Sequence, residues 1–308
     1  MAKLNRRNFI QKGTAASASL LLAGTAFSCA EEKTATQTEE KEMISEAAPI
    51  AVQLWTVREL IEKDAKGTIM KLGEIGYQAV ETAFFPDHIS IAQGADMIKA
   101  AGLKVCSVHI EKPVGDEQKR ILELAEAYDC PYMIWHGWPE EPMYKNMEGI
   151  RELAAVFNEG NAFCKENGLK FGLHNHWWEF EPMEDGSLPF VKLRELLDED
   201  VFFEIDTYWA KVAGQNPAKI VGEFGKRAPF LHIKDGPAVW NEAMDKDEPD
   251  PMVAVGQGAQ DFPAIVEAAK GNTKWMIVEL DNCATDMMTA VEESYAYLTK
   301  NNLAKGRV

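Results

Sequence analysis

Cysteine, basic charge and long apolar runs are all scarce in this 308-residue sequence. The five cysteines include no CxxC pair, so neither a metal finger nor a redox motif is legible. Cys106, Cys130, Cys164 and Cys283 read instead as small buried apolar residues. Basic residues number 32 against 49 acidic ones, a net charge of −17. Such a surface repels phosphate backbones, which argues against a nucleic-acid partner and against strongly anionic substrates. Neither a GxxxxGK[ST] phosphate loop nor a GxSxG nucleophile elbow occurs. The apolar stretch from Gly13 to Phe27 is too short to span a bilayer as a mature helix.

That stretch follows Asn5-Arg6-Arg7-Asn8-Phe9, and together they resemble a twin-arginine export signal. It ends at Ala26-Phe27-Ser28-Cys29, which resembles a lipoprotein cleavage box. Residues 1–28 are therefore expected to be a signal, with Cys29 as the lipid-bearing first residue of the mature chain. Residues 29–48 are acidic and lack apolar periodicity, as a flexible tether would. The expected location is periplasmic, with the N-terminal lipid as the only membrane contact. Removing Lys3, Arg6, Arg7 and Lys12 with the signal leaves 28 basic against 49 acidic residues, a net −21.

From Pro49 onward, short β-rich runs alternate with helical patterns, which argues for βα units and a parallel sheet. The strands are predicted at 50–55, 79–83, 104–110, 132–137, 170–175, 201–207, 229–234 and 275–281. Helices are predicted over 64–75, 146–167 and 285–300, among others, from apolar residues at three- and four-residue spacing. Gly76, Gly102 and Gly168 stand just before strands, where a helix C-cap belongs. The polar connection 236–260 reads as a loop over the barrel mouth. Eight units over residues 49–308 fit a single-domain α/β fold, the (β/α)₈ TIM barrel. An open doubly wound sheet would want a glycine-rich turn after strand one, where Thr56-Val57-Arg58-Glu59 stands instead.

Barrel enzymes keep their chemistry at the C-terminal ends of the strands. Those ends carry Gln53, Trp55, Glu81, His109, Trp135, His136, His174, His176, Glu204, Asp206, His232, Lys234, Glu279 and Asp281, including five of the six histidines. A single strand-end His is more often structural, and a single strand-end Asp is usually a helix N-cap. Four consecutive strands change that reading. Residues two apart share a face, so His174, Asp206, His232 and Glu279 can all point inward at similar height. The two carboxylates would repel each other unless a cation lay between them. Two imidazoles with two carboxylates suit one divalent ion of borderline type (Mn²⁺, Co²⁺, Fe²⁺ or Zn²⁺), with Mg²⁺ less well matched.

The same residues carry a family resemblance. LHNHWWEF (173–180), EIDTYW (204–209), LHIKDG (231–236), VGQGAQDF (255–262) and VELD (278–281) resemble the xylose-isomerase-like TIM-barrel superfamily, as do VQLWTVRE (52–59) and GYQAVE (76–81). That superfamily includes sugar isomerases, sugar 3-epimerases and inosose dehydratases, and the resemblance implies one divalent metal and a sugar-like substrate. Its epimerases hold the metal with Glu, Asp, His and Glu from strands five to eight. Asp206, His232 and Glu279 match this pattern, while His174 stands where the epimerases have a proton-moving glutamate. The inosose dehydratase branch and its exported relatives carry the HxH form, and some of the latter look like lyases or hydratases of 3-keto-glycosides. Apurinic endonucleases share the barrel but need more ligands and a basic DNA face.

A divalent ion chelating a ketone oxygen and an adjacent hydroxyl would acidify the neighbouring C–H and stabilise the enediolate. His109, Glu81, His176 and Glu179 are the candidate bases, and Lys234 could hydrogen-bond the developing oxyanion. Reprotonation gives an isomer or epimer, loss of a β-substituent gives elimination, and the reverse is hydration. Seven of the eight tryptophans lie at strand ends or in the loops that follow them, suiting the C–H faces of a sugar. Gln53, Trp55, His136, Trp178 and Trp209 are the expected substrate contacts. With no arginine or glycine-rich phosphate site, a neutral sugar or glycoside is preferred over a sugar phosphate. A non-catalytic sugar-binding lipoprotein is the competing class, and a homo-oligomer stays open. The lipid assignment predicts that Cys29→Ser moves the protein from the membrane fraction to the aqueous fraction on phase partitioning. Full membrane retention of that variant would contradict it.

Overall fold

Residues 47–239 and 251–307 are described by a computed structural model. The signal, Cys29, most of the tether and Trp240 lie outside the described residues. The eight apolar runs become the parallel strands of a closed barrel: β1 Ile50–Gln53, β2 Ala79–Thr82, β3 Lys104–Ile110, β4 Tyr132–Trp135, β5 Lys170–His174, β6 Phe202–Asp206, β7 Phe230–Ile233 and β8 Trp275–Val278. Each strand pairs with its sequence neighbours, and β8 closes on β1. The helices are α1 Arg58–Ile75, α2 Ile91–Ala100, α3 Glu117–Tyr128, α4 Met147–Glu166, α5 Pro189–Leu196, α6 Thr207–Val212, α7 Pro217–Phe224, α8 Phe262–Ala269 and α9 Met287–Lys300. Among the described residues, no helix is long and apolar enough to cross a membrane.

Strand periodicity builds the barrel interior in layers. Ala51, Ala79, Cys106, Ile134, Phe202, Phe230 and Ile277 form an apolar plug. Gly172 lies in the same layer, where a Cβ would come 2.3 Å from the Phe202 ring. Two residues further along seven of the strands stand Gln53, Glu81, His136, His174, Glu204, His232 and Glu279. The exception is β3, where His109 follows Cys106 by three residues because the β2–β3 register shifts between Val80 and Glu81. The polar mouth thus follows from the plug by the pleat of the strands.

The larger core lies between the barrel and its helices. Ile69 and Leu72 of α1 and Ile150, Leu153 and Phe157 of α4 are all buried there, as their spacing predicts. Gly76 ends α1 at φ 115°, a left-handed conformation that glycine adopts without strain. Cys106, Cys130 and Cys164 are buried free thiols, and Cys283 is half-buried and free.

Two predicted boundaries move. Helix α1 begins at Arg58 rather than 64, with a non-helical residue at Asp64 that merges two segments. The Asp64 side chain accepts from the Gly67 N–H and caps the second segment, the one whose apolar spacing is legible in the sequence. The strand ladders also stop one to three residues earlier than predicted on several strands, as on β8, which ends at Val278. Side chains at the mouth leave the ladder in order to converge.

The ends of the 236–260 connection that are described are held by one residue. Buried Asp235 accepts from the backbone N–H groups of Gly236, Gly256, Gly258 and Gln260. Asp235 also forms a backbone bridge to Val253. Gly258 is required here because a Cβ would come 2.2 Å from Asp235 Oδ1. Replacing one carboxylate oxygen by an amide sets a donor against donors, so Asp235→Asn is expected to cost roughly 1.5–3 kcal/mol. A lower denaturant midpoint at unchanged slope would report this; an unchanged midpoint would contradict it.

Candidate metal centre and active site

His174 (β5), Asp206 (β6), His232 (β7) and Glu279, just past β8, meet with one ligand atom each, all within 4.8 Å of one another. All four residues are buried, with Glu279 the most exposed at 5%. Each also turns toward the others a buried atom that makes no regular hydrogen bond: His174 Nδ1, Asp206 Oδ2, His232 Nδ1 and Glu279 Oε2, with the two oxygens at ion-pair distance from Lys234. Buried polar atoms are rarely left so, and four converging ones point to a missing partner. Imidazole nitrogens and carboxylate oxygens gathered in this way suit a cation.

Each ligand is aimed by its surroundings. Asp206 uses its two oxygens separately: Oδ1 accepts from Tyr208 N and Trp209 N, capping α6, and Oδ2 is left facing the centre. The helix-cap and ligand readings of this Asp are therefore both satisfied. Asn175 stitches β5 to β6, accepting from Asp206 N and donating to Asp206 O. His232 Nε2 is 2.6 Å from Glu81 Oε1, to which it donates, and its Nδ1 faces Glu279 Oε2 at 2.6 Å. With Nε2 carrying the proton, a neutral imidazole sets a lone pair against a carboxylate at that distance. At that distance a proton lies between them, and an ion bound by both atoms would replace it only with the two moved apart. A carboxylate holding the far nitrogen of a ligand His is the usual way of orienting such a ring. The four residues thus fit a divalent metal.

Ionisation follows from burial and neighbours. Burial, with the charge of His232, holds His174 well below the usual imidazole range, leaving it neutral and able to ligate. Burial opposes charge on His232, but Glu204, Glu279 and Glu81 outweigh it and raise its value well above normal. Burial pushes Asp206 up to about 6 against the pull of Lys234 and His232. In Glu279, burial is overcome by Lys234 and His232, which hold its carboxyl well below the usual range.

Beneath the ligands lies a buried network. Gln53 Nε2 and Ser107 Oγ donate to Glu81 at 2.6 and 2.5 Å. His109 Nε2 lies 2.8 Å from Glu204 Oε2 and 3.1 Å from Glu81 Oε1. Despite burial, these carboxylates raise His109 to about 9, so it is a cation at neutral pH. Together His109, His174, Glu204 and His232 form a second ligand-like group, sharing two members with the first.

The proposed catalytic and binding residues separate accordingly. Glu81 and His109 are committed to the network, and Gln53 holds Glu81 instead of facing the mouth. His176 is different. It joins neither ligand group, keeps partial exposure, and stands 5.1 Å from the His174 ring. Burial, then Lys234, holds its imidazole well below the usual range. Its ring stacks on Trp178 at 4.5 Å, and its backbone N–H donates to Glu179 Oε2. Burial raises Glu179 well above the carboxylate range, so it is a neutral acid. Lys234, expected to face an oxyanion, is instead enclosed by Asp206, Glu279 and Asp281. His136 lies beside Glu111, 3.2 Å away, and accepts from Trp138 N.

The tryptophans divide in the same way. Trp135, Trp177, Trp178 and Trp209 are core residues, whereas Trp55 and Trp138 are 42% and 39% exposed. Trp178 and Trp209 therefore act behind the mouth, and Trp55 and Trp138 are the available platforms. Asn175, Asp235 and Ser107 escaped the sequence reading. For Asn175 the one signal was its place between two histidines.

Residues 70–301 match a protein family described as xylose isomerase-like TIM barrel. Over 153 residues the chain is 26% identical to an inosose dehydratase of Clostridium beijerinckii, covering 46% of this chain and 50% of that one. The chain thus spans about half the length of the curated relative it matches. Among solved structures it is similar to a sugar phosphate isomerase/epimerase from Parabacteroides distasonis, with a TM-score of 0.69, 21% identity, and 85% and 97% of the two chains covered. It is also similar to the IOLI protein solved with a zinc atom, with a TM-score of 0.58, 15% identity and coverage of 83% and 98%. At these identities the two structures show a common fold. Asp206→Asn keeps an oxygen for the cap of α6 and removes a charged ligand. Elemental analysis should find about one divalent ion per chain in the parent and a tenth or less in the variant, as loss of one ligand predicts. Equal metal in both would refute the assignment.

Proposed function

This chain belongs to the xylose isomerase-like TIM-barrel family, and from that premise we propose that it is a divalent-metal-dependent enzyme that removes a proton next to the carbonyl of a small neutral sugar or glycoside. The reading rests on the four buried, converging ligand atoms of His174, Asp206, His232 and Glu279. The zinc held by the IOLI protein supports it. A divalent ion held there supplies Lewis acidity worth roughly several kcal/mol to a carbonyl oxygen, making the adjacent C–H acidic.

The chain's own groups do the rest. His176 takes the proton, being neutral and partly exposed beside the ligand His174. Trp178 fixes the ring by stacking, and Glu179 holds the backbone beneath it. Exposed Trp55 and Trp138 offer flat faces to the sugar. Arg58 lies over the Trp55 ring at 4.4 Å and donates to the Trp55 carbonyl, so that platform is braced. Proton return gives an isomerase or epimerase outcome.

A second outcome, elimination or hydration, draws support from the likeness to an inosose dehydratase and from the histidine at position 174. An imidazole ligand carries no charge to assist a second proton transfer, whereas a glutamate there would. The export signal and the lipid on Cys29 belong to the same proposal and put the substrate outside the cytoplasm.

Solvent exchange tests the reading. With ketoses and 3-keto-glycosides in D₂O, the metal-loaded protein should incorporate deuterium into product or recovered substrate. His176→Gln should lower that rate by about 10²-fold or more at unchanged metal content, as loss of a general base does. Absence of exchange across the panel would remove the proposed chemistry, and an unchanged rate in His176→Gln would remove the base.

A further inference from the structure

Lys234 occupies an unusual position for a charged side chain. Its side chain is 1% exposed, and its Nζ lies 3.0 Å from Asp206 Oδ2 and 2.8 Å from Glu279 Oε2. Those are the two carboxylate oxygens that face the ligand cluster, so the ammonium is already paired with both. A third carboxylate, Asp281, accepts its hydrogen bond at 2.8 Å and belongs to neither ligand group. The ammonium also lies 5.4 Å from the centroid of the buried Trp209 ring. Packed in this way, the side chain cannot carry its charge out to water, as most lysines do.

We propose that Lys234 is a resident counter-cation that competes with the divalent ion for Asp206 and Glu279 and so sets how tightly the metal is held. The proposal rests on the metal-dependent reading above. Charge balance supports it. Asp206, Glu279 and Asp281 bring three negative charges and Lys234 brings one positive, so with both ligand imidazoles neutral, as coordination requires, the cluster lacks two positive charges. A dication supplies that deficit. It must nevertheless draw Asp206 and Glu279 away from an ammonium that cannot leave, and it then sits close to a like charge. Asp281 is the group that makes this tolerable. By keeping Lys234 paired, it frees the other two carboxylates for the ion. A weakened, exchangeable metal is the consequence, and the two imidazoles retain preference for ions that accept nitrogen.

The two members of the pair should therefore act in opposite directions. Without the ammonium, Asp206 and Glu279 are free for the ion. Without the Asp281 charge, the ammonium rests wholly on them. The test strips the full-length protein with chelator and titrates it with Mn²⁺ alone, following affinity against a competing indicator. Lys234→Met is expected to bind one ion about tenfold more tightly than the parent. Asp281→Asn is expected to bind about fivefold more weakly. Thermal unfolding provides a second readout: the rise in Tm on adding Mn²⁺ should be larger in Lys234→Met than in the parent and smaller in Asp281→Asn. A purely structural role would weaken binding in both variants, and that result overturns the proposal. So does unchanged affinity in both while the parent binds one ion, which leaves the metal reading standing. If the parent binds no ion, the metal reading fails and this inference falls with it. If Lys234→Met does not fold, Lys234→Gln takes its place under the same expectation of tighter binding than the parent, and equal or weaker binding there overturns the proposal.

Discussion

Burying carboxylates side by side is unfavourable unless positive charge is interleaved with them, and this constraint organises the whole mouth of the barrel. Glu81, Glu204, Asp206 and Glu279 are all buried there. His109 lies between Glu81 and Glu204, His232 comes within 3.9 Å of all four, and Lys234 spans Asp206 and Glu279. Each of the four has an imidazole or an ammonium beside it, so no carboxylate is left with only carboxylate neighbours. The four atoms that fit an ion lie together at one side of this network.

The barrel delivers this arrangement because its strands enforce a fixed vertical step. An apolar plug of alanines, phenylalanines and isoleucines seals the lower interior, and the next inward position on each strand faces the mouth. The polar groups are thereby lifted clear of the hydrophobic layer and held on rigid backbone, where catalysis demands placement within fractions of an ångström. Asp206 illustrates the economy of the design: one oxygen fixes a helix and the other serves the centre.

The barrel, its strand count and the convergence of His174, Asp206, His232 and Glu279 were legible because they depend on local period and on strand order. Both are properties of a linear string. The roles of Glu81, Gln53 and Lys234 were not, because they depend on which side chains meet across the barrel. Glu81 finds His232 from a strand 151 residues away. Periodicity placed it at the mouth but could not say that its oxygens were already taken. The tryptophans failed in the same way: position at a strand end is readable, but burial behind a neighbouring ring is not, and Trp178 and Trp209 are covered while Trp55 and Trp138 are open. The helix expected over 64–75 begins at Arg58, because the apolar spacing marks only the segment that follows the kink at Asp64.

Asp235 ties together backbone from both ends of the connection that follows β7, gathering Gly236 on one side and Gly256, Gly258 and Gln260 on the other. A stem clamped in this way insulates what it carries. Segments of different length or composition can be exchanged between the two clamped ends while the strand that bears His232 and Lys234 keeps its position. The connection can then drift in sequence within one lineage without any need to rebuild the strand beside it.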